Sequence, residues 1–298
     1  MAVPPAPAGT APDRLALVDE PPLCLPCVAP NPRALPCLLV TRPQPQADEW
    51  VGRLQALGLQ AGALPLLGIA APADAGPVQA AWQRLVQIPA AFDVVMLVSP
   101  SAVERFFAQR PAGSVWPPQV IAAGTGPGTR RALLRAGVPE SALLTPPEAA
   151  GQFDSEALWG VLASRMHWPG RSVLVVRGEG GRDWLADTLR QHGAQLHFVE
   201  AYRRTAPVPD AAGLALLHRA LAQPEAHCWL FSSSQAVAHL LDLAPAARWA
   251  GGSALASHAR IAEAARRLGF GQVRQVAPSP EAVAALLRNT GPAGPAEV

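Results

Sequence analysis

The chain has 298 residues, enough for two domains at roughly 150 residues each. Half of the residues are hydrophobic and 15% are charged, a composition that builds a packed core and excludes a globally disordered chain. The 24 basic residues are all arginines and face 22 acidic ones, for a net charge of +2. The lack of lysine excludes a Schiff-base lysine, a Walker-type phosphate loop and a kinase-type catalytic lysine, and the near balance argues against a nucleic-acid binder.

Ten of the 33 prolines fall in residues 1–36, too closely spaced for a helix or a central strand. That segment reads as a disordered, proline-rich extension. Cys24-Leu-Pro-Cys27 has C-x-x-C form but no second pair at zinc-ligand spacing. Together with Cys37 and Cys228 it reads as reduced thiols of a cytoplasmic protein, with no metal site. No apolar run is long enough to span a membrane, and the first residues lack the basic-then-apolar pattern of a signal peptide.

From Cys37 onward, short apolar runs alternate with helical spacing. Strands are expected at 37–41, 62–67, 93–98, 119–123, 172–176, 195–200, 227–231, 253–256 and 272–277. Helices are expected at 48–57 (with Gly58 beyond its end), from 101, from 128, and at 154–164, 182–191, 211–222, 235–242, 259–267 and 280–288. This alternation predicts an α/β protein whose parallel sheets are flanked by helices, with the loop after each strand along one sheet edge. A weak internal repeat adds to it: Leu97-Val98-Ser99-Pro100-Ser101-Ala102-Val103 resembles Phe231-Ser232-Ser233-Ser234-Gln235-Ala236-Val237, and residues 124–137 resemble 256–269. Two similar domains facing each other are expected.

The loops after strands carry the candidate chemistry. The turns holding Ser99 and Ser101, and Ser232 and Ser233, sit where backbone N–H groups at a helix start are unsatisfied and the helix dipole favours an anion. Simple N-capping is the readier account of any single one of these serines, and the two roles can coexist. Gly126 and Thr129 lie in the glycine-rich turn 124–129. That turn follows a strand and opens a helix, but it lacks the full spacing of a dinucleotide fingerprint and is not in the first βαβ unit, which counts against a nucleotide-dependent oxidoreductase. The third turn runs Arg177-Gly178-Glu179-Gly180-Gly181-Arg182. Its glycines permit close backbone approach and its arginines suit a carboxylate, as does Arg42 at the end of the first strand; a solvent-facing charged loop is the alternative. Tyr202, the single tyrosine, stands near a strand end, where it is either an amphipathic packing residue or a proton donor. The seven histidines are scattered; His258 alone lies in a turn matching a candidate site. No nucleophile–base constellation is visible.

Taken in order, VTRP (40–43), LVSPSAV (97–103), GPGT (126–129), FDSEAL (153–158), LVVRGEGGRDWLADTLRQHGA (174–194), EAYRRTAP (200–207), FSSSQAV (231–237) and SPEAVAALL (279–287) resemble the uroporphyrinogen-III synthase family over about 37–290. The resemblance implies two α/β domains joined by a two-stranded connection, with a cleft between them. The first is discontinuous (37–67 plus 207–290), the second inserted (68–206), and 291–298 is a flexible tail. It implies a hydro-lyase of tetrapyrrole and heme biosynthesis that closes linear hydroxymethylbilane to uroporphyrinogen III, losing water and inverting the terminal pyrrole ring through a spiro intermediate. No cofactor takes part, and the partner is a small molecule, either free or handed over by the preceding enzyme. Tyr202 matches the family tyrosine proposed as the acid for water loss; Ser99, Ser233 and Thr129 match family hydroxyls. Arg42, Ser101, Gly126, Arg177, Gly178, Ser232 and His258 complete the expected substrate contacts. The sequence departs from the family at His258, Ala259 and Ile261, where glycine, proline and threonine are usual, and at Val98 and Ser232, which replace threonine. These departures keep open a catalytically silent homologue that senses an anionic ligand. A monomer with a flexible hinge is expected.

Overall fold

The computed structural model describes residues 35–147, 153–180 and 184–289. Nearly all of the proline-rich extension, with Cys24 and Cys27, and the tail 291–298 lie outside the described residues, as does Arg182.

Elements alternate along the chain: β1 (Cys37–Val40), α1 (Gln46–Ala56), β2 (Ala61–Ala63), β3 (Gly68–Ala70), α2 (Gly76–Leu85), β4 (Val94–Leu97), α3 (Pro100–Phe107), β5 (Ile121–Gly124), α4 (Pro127–Arg135), β6 (Leu143–Leu144), α5 (Ser155–Leu162), β7 (Ser172–Gly178), α6 (Trp184–Gln191), β8 (Gln195–Thr205), α7 (Ala211–Ala222), β9 (His227–Phe231), α8 (Ser234–Leu243), β10 (Ser253–Ala256), α9 (Ala259–Leu268), β11 (Gln272–Gln275) and α10 (Pro280–Asn289). They form two sheets, in the orders β11-β10-β9-β1-β2 and β3-β8-β7-β4-β5-β6. The first sheet is parallel throughout. The second is parallel except at its edge, where β3 runs antiparallel to the end of β8 through Gly68↔Thr205, Ile69↔Arg204 and Ala70↔Arg203. Those two segments carry the chain from one lobe to the other and back, and form the two-stranded connection. The pairing is close: a Cβ on Gly68 would lie 2.2 Å from Thr205 Oγ1 and 3.2 Å from Ala206 O, so the Thr205 side chain would have to turn aside.

Both sheets are covered on two faces, so their strands are apolar on both sides. In the first lobe, Leu39, Trp229, Phe231 and Ala254 pack under α7, α8 and α9, while Leu38, Val40, Leu230 and Leu255 pack under α1 and α10. In the second, Val95, Leu97, Leu174 and Val176 face α2, α3 and α4, and Val94, Met96, Val173 and Val175 face α5 and α6. The two lobes therefore share one plan. Reading β9-β10-β11-β1-β2 beside β4-β5-β6-β7-β8 gives the same spatial order, entered at different points of the cycle.

The carboxyl ends of the strands carry the loops that matter. In each sheet the chain first builds to one side and later returns to the other, leaving a switch point between β1 and β9 and between β4 and β7. Ligands of open α/β sheets bind at such crevices.

Candidate functional site

A cleft of about 880 Å³ collects the loops of both lobes. From β1 comes Arg42, from β9 Ser232, from β10 His258, from β4 Ser99, from β5 Gly126 and Thr129, and from β7 Arg177. These seven border one space, although most of the described chain runs between Arg42, the first of them, and His258, the last. Ser101, Gly178, Tyr202 and Ser233 do not border it. Ser101 is 4% exposed, and its Oγ meets Gln46 Nε2 at 2.9 Å, a contact between the lobes. Ser233 caps α8, accepting from Gln235 N at 3.2 Å.

Arg42 and Arg177 occupy equivalent places. Val40 pairs with Leu230 across the switch point of the first sheet, and Val175 pairs with Met96 across that of the second. Each arginine follows two residues later. Each guanidinium lies over an aromatic ring, Arg42 at 4.2 Å from the Trp50 centroid and Arg177 at 4.9 Å from that of Phe198. Such stacking fixes the plane of a cation whose fork geometry matches a carboxylate. Burial, with Arg131 nearby, pushes the Arg42 pKa down to about 10, against the pull of Glu49, so it stays a cation at neutral pH.

The helix starts are built by short caps. Ser99 Oγ accepts from Ala102 N at 3.1 Å at the head of α3, and Asp154 accepts from Ala157 N at 2.9 Å at the head of α5. His258 caps α9 with Nδ1, which accepts from Arg260 N at 3.1 Å. This side chain gives the departing turn a cap that a glycine would not. Thr125 Oγ1 donates to Val98 O at 3.1 Å and ties the β4 and β5 loops together.

Tyr202 is 2% exposed and packs into the core of the second lobe. The reason is local. Arg177 pairs with Glu200, but Gly178 pairs with Tyr202, so Ala201 is an extra residue on β8. This bulge breaks the alternation and turns Ala201 and Tyr202 to the same buried face. Gly178 makes room: a Cβ there would lie 2.5 Å from Cε2 and Cζ of the Tyr202 ring. The phenol oxygen reaches Ser99 Oγ at 3.2 Å and accepts from Arg204 Nη2 at 3.3 Å. Both partners border the cleft.

Sequence reasoning passed over three arginines on this wall, Arg131, Arg204 and Arg260. Arg204 was reachable, since it stands two residues beyond Tyr202 on the same strand. Among the described residues the wall carries five arginines and one carboxylate, Asp154. It suits a ligand with several negative groups, held by guanidinium forks and helix starts. Among the described residues no three His, Cys, Asp or Glu side chains gather as a metal site, and no helix is long and apolar enough to cross a membrane.

A family model described as uroporphyrinogen-III synthase HemD matches residues 48–286. The chain is 32% identical over 182 residues to the uroporphyrinogen-III synthase of Salmonella typhimurium, covering 60% of this chain and 69% of that one. The same-named protein of Escherichia coli is 32% identical over 184 residues, again 60% and 69%. Among solved structures, a mutant uroporphyrinogen III synthase from Thermus thermophilus aligns with a TM-score of 0.48 at 18% identity, covering 86% of this chain and 98% of that one. The Helicobacter pylori protein gives 0.48 at 15%, also 86% and 98%.

Proposed function

From the uroporphyrinogen-III synthase family, to which this chain belongs, we propose the reaction it performs and the residues that bind its substrate. The chain closes hydroxymethylbilane to uroporphyrinogen III. The terminal hydroxyl leaves as water, the last pyrrole ring attacks through a spiro intermediate, and that ring is inverted in the product.

The observation that carries this reading is the wall of five arginines and several helix starts around one cleft between two lobes. The substrate is a flexible chain of four pyrroles bearing acetate and propionate groups. Its carboxylates need many cationic contacts spread over a wide opening, and an 880 Å³ cleft offers that. Arg42 and Arg177, one from each lobe, are the principal anchors. Arg131, Arg204, Arg260 and the turns at Ser99, Gly126, Thr129, Ser232 and His258 complete the set. An azafulvene-type cation needs little nucleophilic help, so the work of the protein is to fold the chain with its two ends together. Tyr202 supplies the proton for water loss.

The lobes are two domains, 37–67 plus 207–290 and 68–206, in a monomer of the cytoplasm. One assay tests the activity. Purified protein is given freshly generated hydroxymethylbilane, and the oxidised products are resolved by isomer. The type III isomer in excess is expected; the type I isomer alone, as from spontaneous closure, rejects the reading and favours a silent anion-binding homologue.

A further inference from the structure

The Tyr202 phenol is enclosed, yet the hydroxyl it would protonate must lie in the cleft. The hydrogen bonds around it say how the two communicate. Arg204 has donors only, so at 3.3 Å the phenol oxygen accepts from it. The phenol proton then needs an acceptor of its own, because a buried O–H without one keeps its full desolvation penalty. Ser99 Oγ, at 3.2 Å, is that acceptor. Ser99 Oγ also accepts from Ala102 N at 3.1 Å. Both of its acceptor positions are thus filled, and its remaining proton points away from them. Ser99 borders the cleft and Tyr202 does not.

We infer that Ser99 is the catalytic residue that hands a proton to the departing hydroxyl, with Tyr202 behind it as the proton source and Arg204 as the positioning residue that sets the direction of the chain. The inference rests on the cyclase reading above. In the step, the C–O bond of the hydroxymethyl group breaks with its electron pair on oxygen. The Ser99 proton joins that oxygen and water leaves. The Tyr202 proton moves to Ser99 Oγ, and the phenolate left behind faces the Arg204 cation. Ring closure expels the hydrogen of the pyrrole carbon that is joined, as a proton. That proton returns through Ser99 to Tyr202. The sum is the loss of one water, with no oxidant or reductant.

The test uses the full chain and follows type III formation. Ser99→Ala and Tyr202→Phe each lower kcat by about 10²-fold, the low end of general acid catalysis, with KM little changed. The double variant is no slower than either single one, since both break one chain. Ser99→Thr keeps the hydroxyl and restores turnover. Ser99→Asn keeps the helix cap, and so the fold, but has no hydroxyl proton to relay; it stays slow. Arg204→Met lowers kcat, and Arg204→Lys, again a donor without an acceptor, recovers it. An active wild type with a fully active Ser99→Asn overturns the relay while the cyclase reading stands. So do losses that multiply in the double variant. A wild type that yields only the type I isomer overturns the cyclase reading itself.

Discussion

At the scale of single residues, the decisive contact is between a missing Cβ and a ring. Gly178 borders no part of the cleft, but its bare Cα lets the Tyr202 ring lie against the β7 backbone. Gly178→Ala would place a methyl carbon 2.5 Å from two ring carbons, a distance that forces ring or strand to move. The ring is locked in the core, so overpacking of this kind costs about 1–3 kcal/mol. It also pulls the phenol oxygen from Ser99 and Arg204. We expect Gly178→Ala to lower the thermal midpoint and to lose turnover further than the stability loss explains, checked by calorimetry beside the cyclisation assay. A variant with wild-type melting would mean that the strand yields easily there. The glycines of the 177–182 turn signal a close approach in the sequence; what they cannot disclose is the partner, since the bulge at Ala201 that presents Tyr202 to Gly178 leaves no mark in the apolar pattern.

At the scale of elements, legibility followed local signals. Helix α7 spans Ala211–Ala222, the range its spacing predicts, because Asp210 starts it: the carboxylate accepts from Gly213 N at 2.7 Å. Asp210→Ala should cost about 1 kcal/mol. The loss should appear in the urea midpoint and leave kcat alone, because Asp210 lies off the cleft; a changed kcat would link this cap to the site. Strands β9 and β10 also match their predicted ranges, each an apolar run bounded by polar turns. Helix α2 was missed although Val78, Ala81, Trp82 and Leu85 lie on one buried face. Its Pro77 looks like a breaker but falls in the first turn, where proline is tolerated. Strands β3 and β6 have three and two residues and no periodicity to read. Strand β8 runs on to Thr205, past the expected end at 200, because β3 pairs with its tail from more than a hundred residues away. The candidate loops were visible because each follows a strand; that Arg42 and Arg177 are equivalent emerges only when the sheet registers are compared.

At the scale of the molecule, the two lobes are one plan in two cyclic orders, and they face each other across a cleft. Glu49 on α1 meets Arg131 and Arg135 on α4, both at 3.2 Å, and Gln46 meets Ser101 at 2.9 Å. The Glu49 pairs are about a third to a half exposed, and such pairs contribute about 0–1 kcal/mol each. They are too weak to matter for unfolding of either core, but they are comparable with the energy that separates closed from open lobes on a two-stranded connection. Arg131 also borders the cleft, so a substrate carboxylate and Glu49 compete for one guanidinium. Opening the latch and filling the cleft are thereby coupled. Glu49→Ala should raise the radius of gyration of the unliganded chain in solution scattering while leaving the thermal midpoint nearly unchanged. Raised salt should move the wild type the same way, because screening weakens half-exposed pairs. A radius that is identical in wild type and variant, at low and at high salt, would mean that the β3–β8 connection alone sets the spacing of the lobes.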